Sequence, residues 1–354
     1  MAQVSMIEYL NVRIRHRHSL LFSDSIYEDL LSGNTLGTLT TFLLDNSDYC
    51  IDVEEALEHE PEREGLERGV TNHFAHCISR TLNMAGEKSR ELFKLALFSF
   101  DLKYIRNFLL ARKKGLSSRE TLKMLVPCCS ITEHDLGEML NTSDTGELCI
   151  FLSRHFPYGS DTLKEAIETD SNDIPITKLL NIIEEKAYKG ILQKLEDTDQ
   201  NKKILRDTIR HEIDMKNIGT ALKEVWNGDS ALQSTSVTFF PGGFINRGLL
   251  DEISQAKELD EAFEMIEGTQ FSPAVEKGII YFAETGFLHE MERFFEEVLI
   301  NKIIAKRRFD PFGIGVFIGY IWGKYVELTN LRTIINGIAF KLGTAQIRKG
   351  LIHV

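Results

Sequence analysis

The sequence predicts an all-α protein, and three observations carry that prediction. Proline is scarce, with 7 in 354 residues, while Leu, Ile, Glu and Lys are abundant, a composition that favours long helices over a turn-rich β fold. Apolar residues recur at intervals of three and four along most of the chain, and the best strand-like stretch is no more than Thr235–Phe240. Finally, one short motif returns twice at a fixed interval of 113 residues (214 − 101 and 327 − 214). Helical solenoids repeat every ~34 to 47 residues, so a unit this long is a small multi-helix domain. The expectation is three similar multi-helix lobes with internal pseudo-three-fold symmetry, spanning residues 1–127, 128–240 and 241–354.

The motif is an acid, a polar or aromatic residue three positions later, and an aliphatic directly after it. Asp101, Tyr104 and Ile105 form the first copy, Asp214, Asn217 and Ile218 the second, Glu327, Asn330 and Leu331 the third. An acid one helical turn before its partner faces the same way. The same acid in three lobes points to satisfying backbone groups where helices cross, and not to catalysis. Arg332, two residues after Asn330, is expected to pair with an acid from a neighbouring lobe. Ile78, Ile191 and Ile304 keep the same interval, and Gly115 and Gly228 close the first two copies, with Gly343 expected to close the third. Upstream in each unit a helix-like segment ends in a short polar loop and an aromatic: Tyr49, Tyr158 and Phe271.

Taken in order, Lys88–Leu110 reads as one long amphipathic helix and Lys202–Val225 as its counterpart. Ser117 with Glu120, and Ser130 with Glu133, read as capping boxes that open helices. Phe239-Phe240-Pro241-Gly242-Gly243 breaks the pattern and fixes a loop. Phe312–Gly323 is the most apolar stretch, but its 12 residues fall short of the ~20 a membrane-crossing helix needs. It reads as a buried helix, with Gly313, Gly315 and Gly319 allowing close approach of neighbours. No signal peptide is expected, because Met1–Leu21 carries Glu8, Arg13, Arg15 and Arg17 where an apolar run would be required.

Charge and motif content exclude several function classes. With 41 basic against 53 acidic residues the net charge is −12, which repels phosphate backbones, so no nucleic-acid partner is expected. Five cysteines at irregular spacing suit reduced thiols. There is no GxxxxGK[ST] phosphate loop, and no cofactor is called for. His73, His76 and Cys77 share a helix face as a partial metal cluster without a fourth ligand, and read as surface histidines beside one buried cysteine. A metal-dependent hydrolase built on them is one reading of the chain, and a helical scaffold or adaptor is another. Basic clusters at Arg13, Arg15, Arg17 and Lys302, Lys306, Arg307, Arg308 stand against an acidic segment from Glu54 to Glu67.

These residues together resemble the C subunit of the archaeal and bacterial A/V-type rotary ATPases, the counterpart of the d subunit in eukaryotic vacuolar ATPases. Tyr9-Leu-Asn-Val-Arg13-Ile-Arg15, the three acid motifs, Phe240-Pro241-Gly242-Gly243, Asp310-Pro-Phe-Gly-Ile-Gly315 and Ile347-Arg348-Lys-Gly-Leu351 follow the family's order nearly end to end. Tyr104 departs from the family's usual Asn. The resemblance implies a non-catalytic rotor part: a funnel of three helical lobes on the cytoplasmic face of the membrane, seated on the proteolipid ring. The central-stalk subunits D and F would enter its open top. Arg13, Arg15, Pro241, Gly242, Gly243, Arg307 and Arg308 are the candidate partner contacts.

Overall fold

The computed structural model describes residues 6–125, 131–142, 145–155, 175–228, 238–286 and 288–354. Every regular element among them is a helix, so the all-α expectation holds. The first part of the chain forms α1 (Met6–His18), α2 (Asp24–Gly33), α3 (Leu36–Asp45), α4 (Cys50–His59), α5 (Glu62–Met84), α6 (Glu87–Ala96) and α7 (Phe98–Lys113). Then come α8 (Ser118–Met124), α9 (Glu133–Asn141), α10 (Thr145–His155), α11 (Ile176–Lys194) and α12 (Gln200–Asn227). The remainder folds as α13 (Arg247–Ser254), α14 (Leu259–Glu267), α15 (Ser272–Thr285), α16 (His289–Phe309), α17 (Ile314–Ala339) and α18 (Thr344–Lys349).

The 113-residue interval reappears in the helix boundaries. Helices α5, α11 and α16 begin at residues 62, 176 and 289, and α6, α12 and α17 at 87, 200 and 314. The long helices also end alike. Gly115 and Gly228 hold positive φ of 67° and 57°, and the third left-handed residue is Lys341 at 58°, again 113 positions on (341 − 228). Gly343, where the sequence placed the third closure, instead has φ −65° and precedes α18. A lysine adopts this conformation because the next residue completes the same terminal hydrogen bond as after Gly115: Leu342 N–H donates to the Gly337 carbonyl, as Leu116 donates to Ala111.

Two compact units partition the chain: Met1–Glu184 together with Lys306–His353, and Glu185–Ala305. In the first unit α17 is the hub, packed by α1, α3, α5, α6 and α18. It is buried on every face from Ile314 through Leu328, which answers the apolar run in the sequence, and beyond that Thr329, Arg332, Thr333 and Asn336 leave one face half-buried. Phe93 stacks on Phe317 with ring centroids 4.0 Å apart, while Phe100 lies 5.0 Å from Trp322 and 5.5 Å from Phe74. In the second unit α12 packs on α13 and α14, and its Ile218, Ala221 and Leu222 join Phe263, Phe271, Val275 and Phe295 in a closed apolar core.

Local readings met mixed outcomes. Ser117 and Glu120 form the expected capping box. The second box is Thr132 with Asp135, because an aspartate three residues after a hydroxyl reaches the cap amide as a glutamate does. Ser130 lies outside the described residues, as do Cys128, Cys129 and Tyr158. The predicted Lys88–Leu110 helix is two helices meeting at Leu97, whose N–H is shared between the Phe93 and Lys94 carbonyls. That tightened turn keeps Phe93 against Phe317 and Phe100 against Trp322. No described helix is long and apolar enough to cross a membrane.

Candidate functional site

The repeated acids and their partners sit in the long helices, and all are buried. Their geometry is clearest in α12. The Asn217 amide grips one residue by both backbone groups: Nδ2 donates to the Phe240 carbonyl at 2.9 Å, and the Phe240 N–H donates to Oδ1 at 2.8 Å. One turn earlier, Asp214 accepts the Ile245 N–H at 3.0 Å and the Gln270 amide at 3.1 Å, and Lys302 donates to the far oxygen of Gln270. A further turn back, Arg210 donates to the Gly242 and Gly243 carbonyls at 3.1 and 3.0 Å, its guanidinium lying 3.8 Å from the Phe244 ring centre. Three side chains on one helix face thus pin the whole Pro241–Gly243 loop. Its glycines are dictated by the fold: Gly242 has φ +101°, and a Cβ on Gly243 would fall 2.1 Å from Asp214 Oδ1.

Helix α17 repeats the grip. Asn330 Nδ2 donates to the Ile352 carbonyl at 2.9 Å, and the Ile352 N–H donates back to Oδ1 at 2.8 Å. Glu327, one turn earlier, accepts the Phe22 N–H, the Tyr49 hydroxyl at 2.7 Å and the Lys324 ammonium at 2.9 Å. The aromatic-ending loops meet these acids. Ser47 and Thr269 build the same turn, each donating to a helix carbonyl (Leu43, Ile266) and accepting the N–H of Tyr49 or Phe271. The first turn delivers Tyr49 to Glu327, and the second sets Gln270 on Asp214.

In α7 the first copy departs from this pattern. Asp101 and Tyr104 are buried, and Asn107, one turn after Tyr104, donates to the Met124 carbonyl at 3.1 Å. Arg332 donates to Thr71 Oγ1 at 2.7 Å and to the Leu125 carbonyl at 3.2 Å. Burial lowers its pKa, and the nearby Glu67 charge opposes that.

Around Glu327 a charged network extends through the first unit that spacing alone did not reveal. Lys324, with no exposed side-chain surface, bridges Glu327 at 2.9 Å and Asp48 at 3.0 Å. His73, read from sequence as a surface residue, is buried between two carboxylates, with Nδ1 2.8 Å from Asp52 and Nε2 3.4 Å from Asp48. Burial disfavours its charge, yet hydrogen bonds to Asp48, Asp52 and Cys77 push its pKa up to about 10. Burial likewise opposes ionisation of Asp48, but His73 and Lys324 draw its pKa down to about 2. His76 reaches the other oxygen of Asp52 and stays half exposed. Among the described residues no group of three or more acidic, histidine or cysteine side chains is arranged to hold a metal ion. Asp48, Asp52 and His73 are absorbed in mutual ion pairs, and Asp214 and Glu327 in hydrogen bonds to backbone and neighbouring side chains.

The other candidate contacts lie at the surface of the first unit or close to it. Arg13 and Arg308 are exposed. Arg15 donates to the Pro311 carbonyl, and Arg307 donates to His18 Nδ1 at 2.9 Å. Burial and the Arg307 charge lower the His18 pKa to about 4, so the imidazole accepts this bond in its neutral form.

A family model described as the ATP synthase (C/AC39) subunit matches residues 10–350. The chain belongs to that family. Its members are non-catalytic parts of ATP synthases, in keeping with acids committed to holding helices and loops together. Among similar proteins, the A-type ATP synthase C subunit of Methanocaldococcus jannaschii is 24% identical over 349 residues, covering 98% of this chain and 86% of that protein. Its equivalent in Methanothermobacter thermautotrophicus is 23% identical over 328 residues, 92% of this chain and 82% of its own. That of Pyrococcus furiosus is 22% identical over 342 residues, with 96% and 89% covered.

Proposed function

We propose that this member of the C/AC39 family is a rotor part that links the central-stalk subunits D and F to the proteolipid ring and transmits torque between them. In this reading it sits peripherally on the cytoplasmic face of the membrane, with its three repeats forming three lobes. The observation that carries the proposal is the likeness, over residues 10–350 and so nearly the whole chain, to the A-type ATP synthase C subunit. The interior supports it physically. The long helices are locked to their loops by bidentate amide grips, and close-packed cores pass strain on with little give.

The test is reconstitution of a rotary complex with and without this chain, scoring ATP hydrolysis and ion transport together. Coupled transport that appears only when the chain is present is the expected result. Equal coupling without it would overturn the reading.

A further inference from the structure

One surface of the first unit takes no part in the grips or in the buried charge network. The outward stripe of α1 carries Tyr9, Val12, Arg13 and His16, and Leu20 continues it in the turn beyond the helix, with Val12 69% exposed, while Leu10 and Ile14 on the opposite side are fully buried. Beside it stands the turn between α16 and α17, where Phe309 is 84% and Phe312 66% exposed. Four contacts join the two pieces: Asn11 donates to the Gly313 carbonyl, Arg15 donates to Pro311, the Arg15 guanidinium lies over the Phe312 ring, and Arg307 bonds His18.

The charge on this surface runs against that of the molecule. Between Tyr9 and Phe22 there are three arginines and no acid, and Lys306, Arg307 and Arg308 flank the phenylalanines. The sole acid of that turn, Asp310, accepts the Gly315 N–H and so caps α17. In a chain of net charge −12, such a patch is attracted to an anionic surface and turns the remainder of the molecule away from it. Screening over about 8–10 Å confines the repulsion to whatever lies close. A phenylalanine as exposed as Phe309 has little of its own protein to lie against. It buries itself by entering a soft medium, and aromatic tips beside basic side chains are the chemistry of the bilayer interface.

We propose that the face formed by Tyr9, Val12, Arg13, Arg308, Phe309 and Phe312 binds the headgroup region of a bilayer rich in anionic lipid. This goes beyond the rotor reading and does not rest on it, because the contact belongs to the isolated chain.

The experiment is flotation of the purified full-length chain with vesicles of phosphatidylcholine alone or mixed with phosphatidylglycerol at seven to three, in low and high salt. The chain should float with the anionic vesicles in low salt and with neither kind in high salt. Arg13→Gln with Arg308→Gln removes two surface charges and should weaken binding about thirtyfold. Phe309→Ser with Phe312→Ser should weaken it at least about tenfold through lost apolar burial. All four side chains are exposed, so both variants should keep the parent's melting temperature, which makes a binding loss interpretable. Equal flotation with both vesicle types, or variants that bind like the parent, would overturn the proposal. So would a chain that ignores vesicles yet is retained on immobilised polyglutamate through the same arginines, which would make the partner an acidic polypeptide. A working rotor part could restore coupling in the reconstitution and still fail here, so the two ideas stand or fall separately.

Discussion

Asn217 and Asn330 do the same job 113 residues apart (330 − 217), each gripping the backbone of a residue 23 or 22 positions downstream. The acids one turn before them are handled by opposite means. Asp214 is met by backbone N–H groups and a glutamine amide, and burial raises its pKa against the pull of those hydrogen bonds and of Arg210 and Lys302. Glu327 instead sits against Lys324 in a network that reaches Asp48 and His73. The second and third copies of the motif therefore share the amide grip, while the electrostatic surroundings of the acid differ between them.

The sharpest way to break this comparison is to remove the cation. Lys324→Met should cost the protein about 3–5 kcal/mol in urea unfolding, since it strands Glu327 and Asp48 without their shared partner. Adding Glu327→Gln should recover part of the loss. A single variant as stable as the parent would mean that the network contributes nothing to folding.

Next in size are the two grips. Asn217→Ala and Asn330→Ala each leave a buried N–H and C=O unpaired, and each should cost about 2–3 kcal/mol. Because the geometry matches, the two losses should agree within about 1 kcal/mol. A gap wider than that would show that the surroundings, and not the amide, set the energy.

The pH dependence separates Asp48 from Asp214 by sign. The raised pKa of His73 means that its contribution is complete below pH 6.5 and is lost as pH climbs through about 10. Asp48, whose pKa is lowered to about 2, contributes fully above pH 3.8 and loses that contribution as pH falls towards 2. Asp214 runs the other way from Asp48: its pKa is raised, so its contribution is complete below pH 3.8 and fades as pH rises through its folded value. Urea midpoints followed from pH 6.5 to 10 should slope downward, by at most about 1.4 kcal/mol per pH unit for one proton. His73→Gln should flatten that limb. An unchanged slope would place the titrating group elsewhere.

The smallest expected effect is a gain. Lys341 holds the left-handed conformation that glycine supplies after α7 and α12, so Lys341→Gly should stabilise by about 1 kcal/mol. A loss on calorimetry would indicate that the lysine side chain makes up for its backbone.

Much of this architecture could be read from residue spacing, because a helix writes its period into its own sequence. The interval of 113 located the long helices, and the apolar run from Phe312 located the buried hub. Lys341 escaped notice because the rule for helix ends looks for glycine, whereas the interval itself pointed at the correct residue. The His73 network was not legible for another reason. Asp48 and Asp52 lie 25 and 21 residues before it, on either side of the α4 start, and only packing brings α4 onto α5. The break at Leu97 has no proline or glycine to announce it and follows from how Phe93 and Phe100 meet α17.

The first unit is assembled from both ends of the polypeptide, whereas the second is one unbroken stretch, Glu185–Ala305. Arg348 pairs with Glu28, and the hub that covers α1, α3 and α5 comes from the last fifty or so residues. During synthesis the middle of the chain can therefore close as it leaves the ribosome, while the amino-terminal helices wait with their apolar faces open until α17 emerges. That interval is when the newborn protein is most exposed to aggregation and most in need of a chaperone.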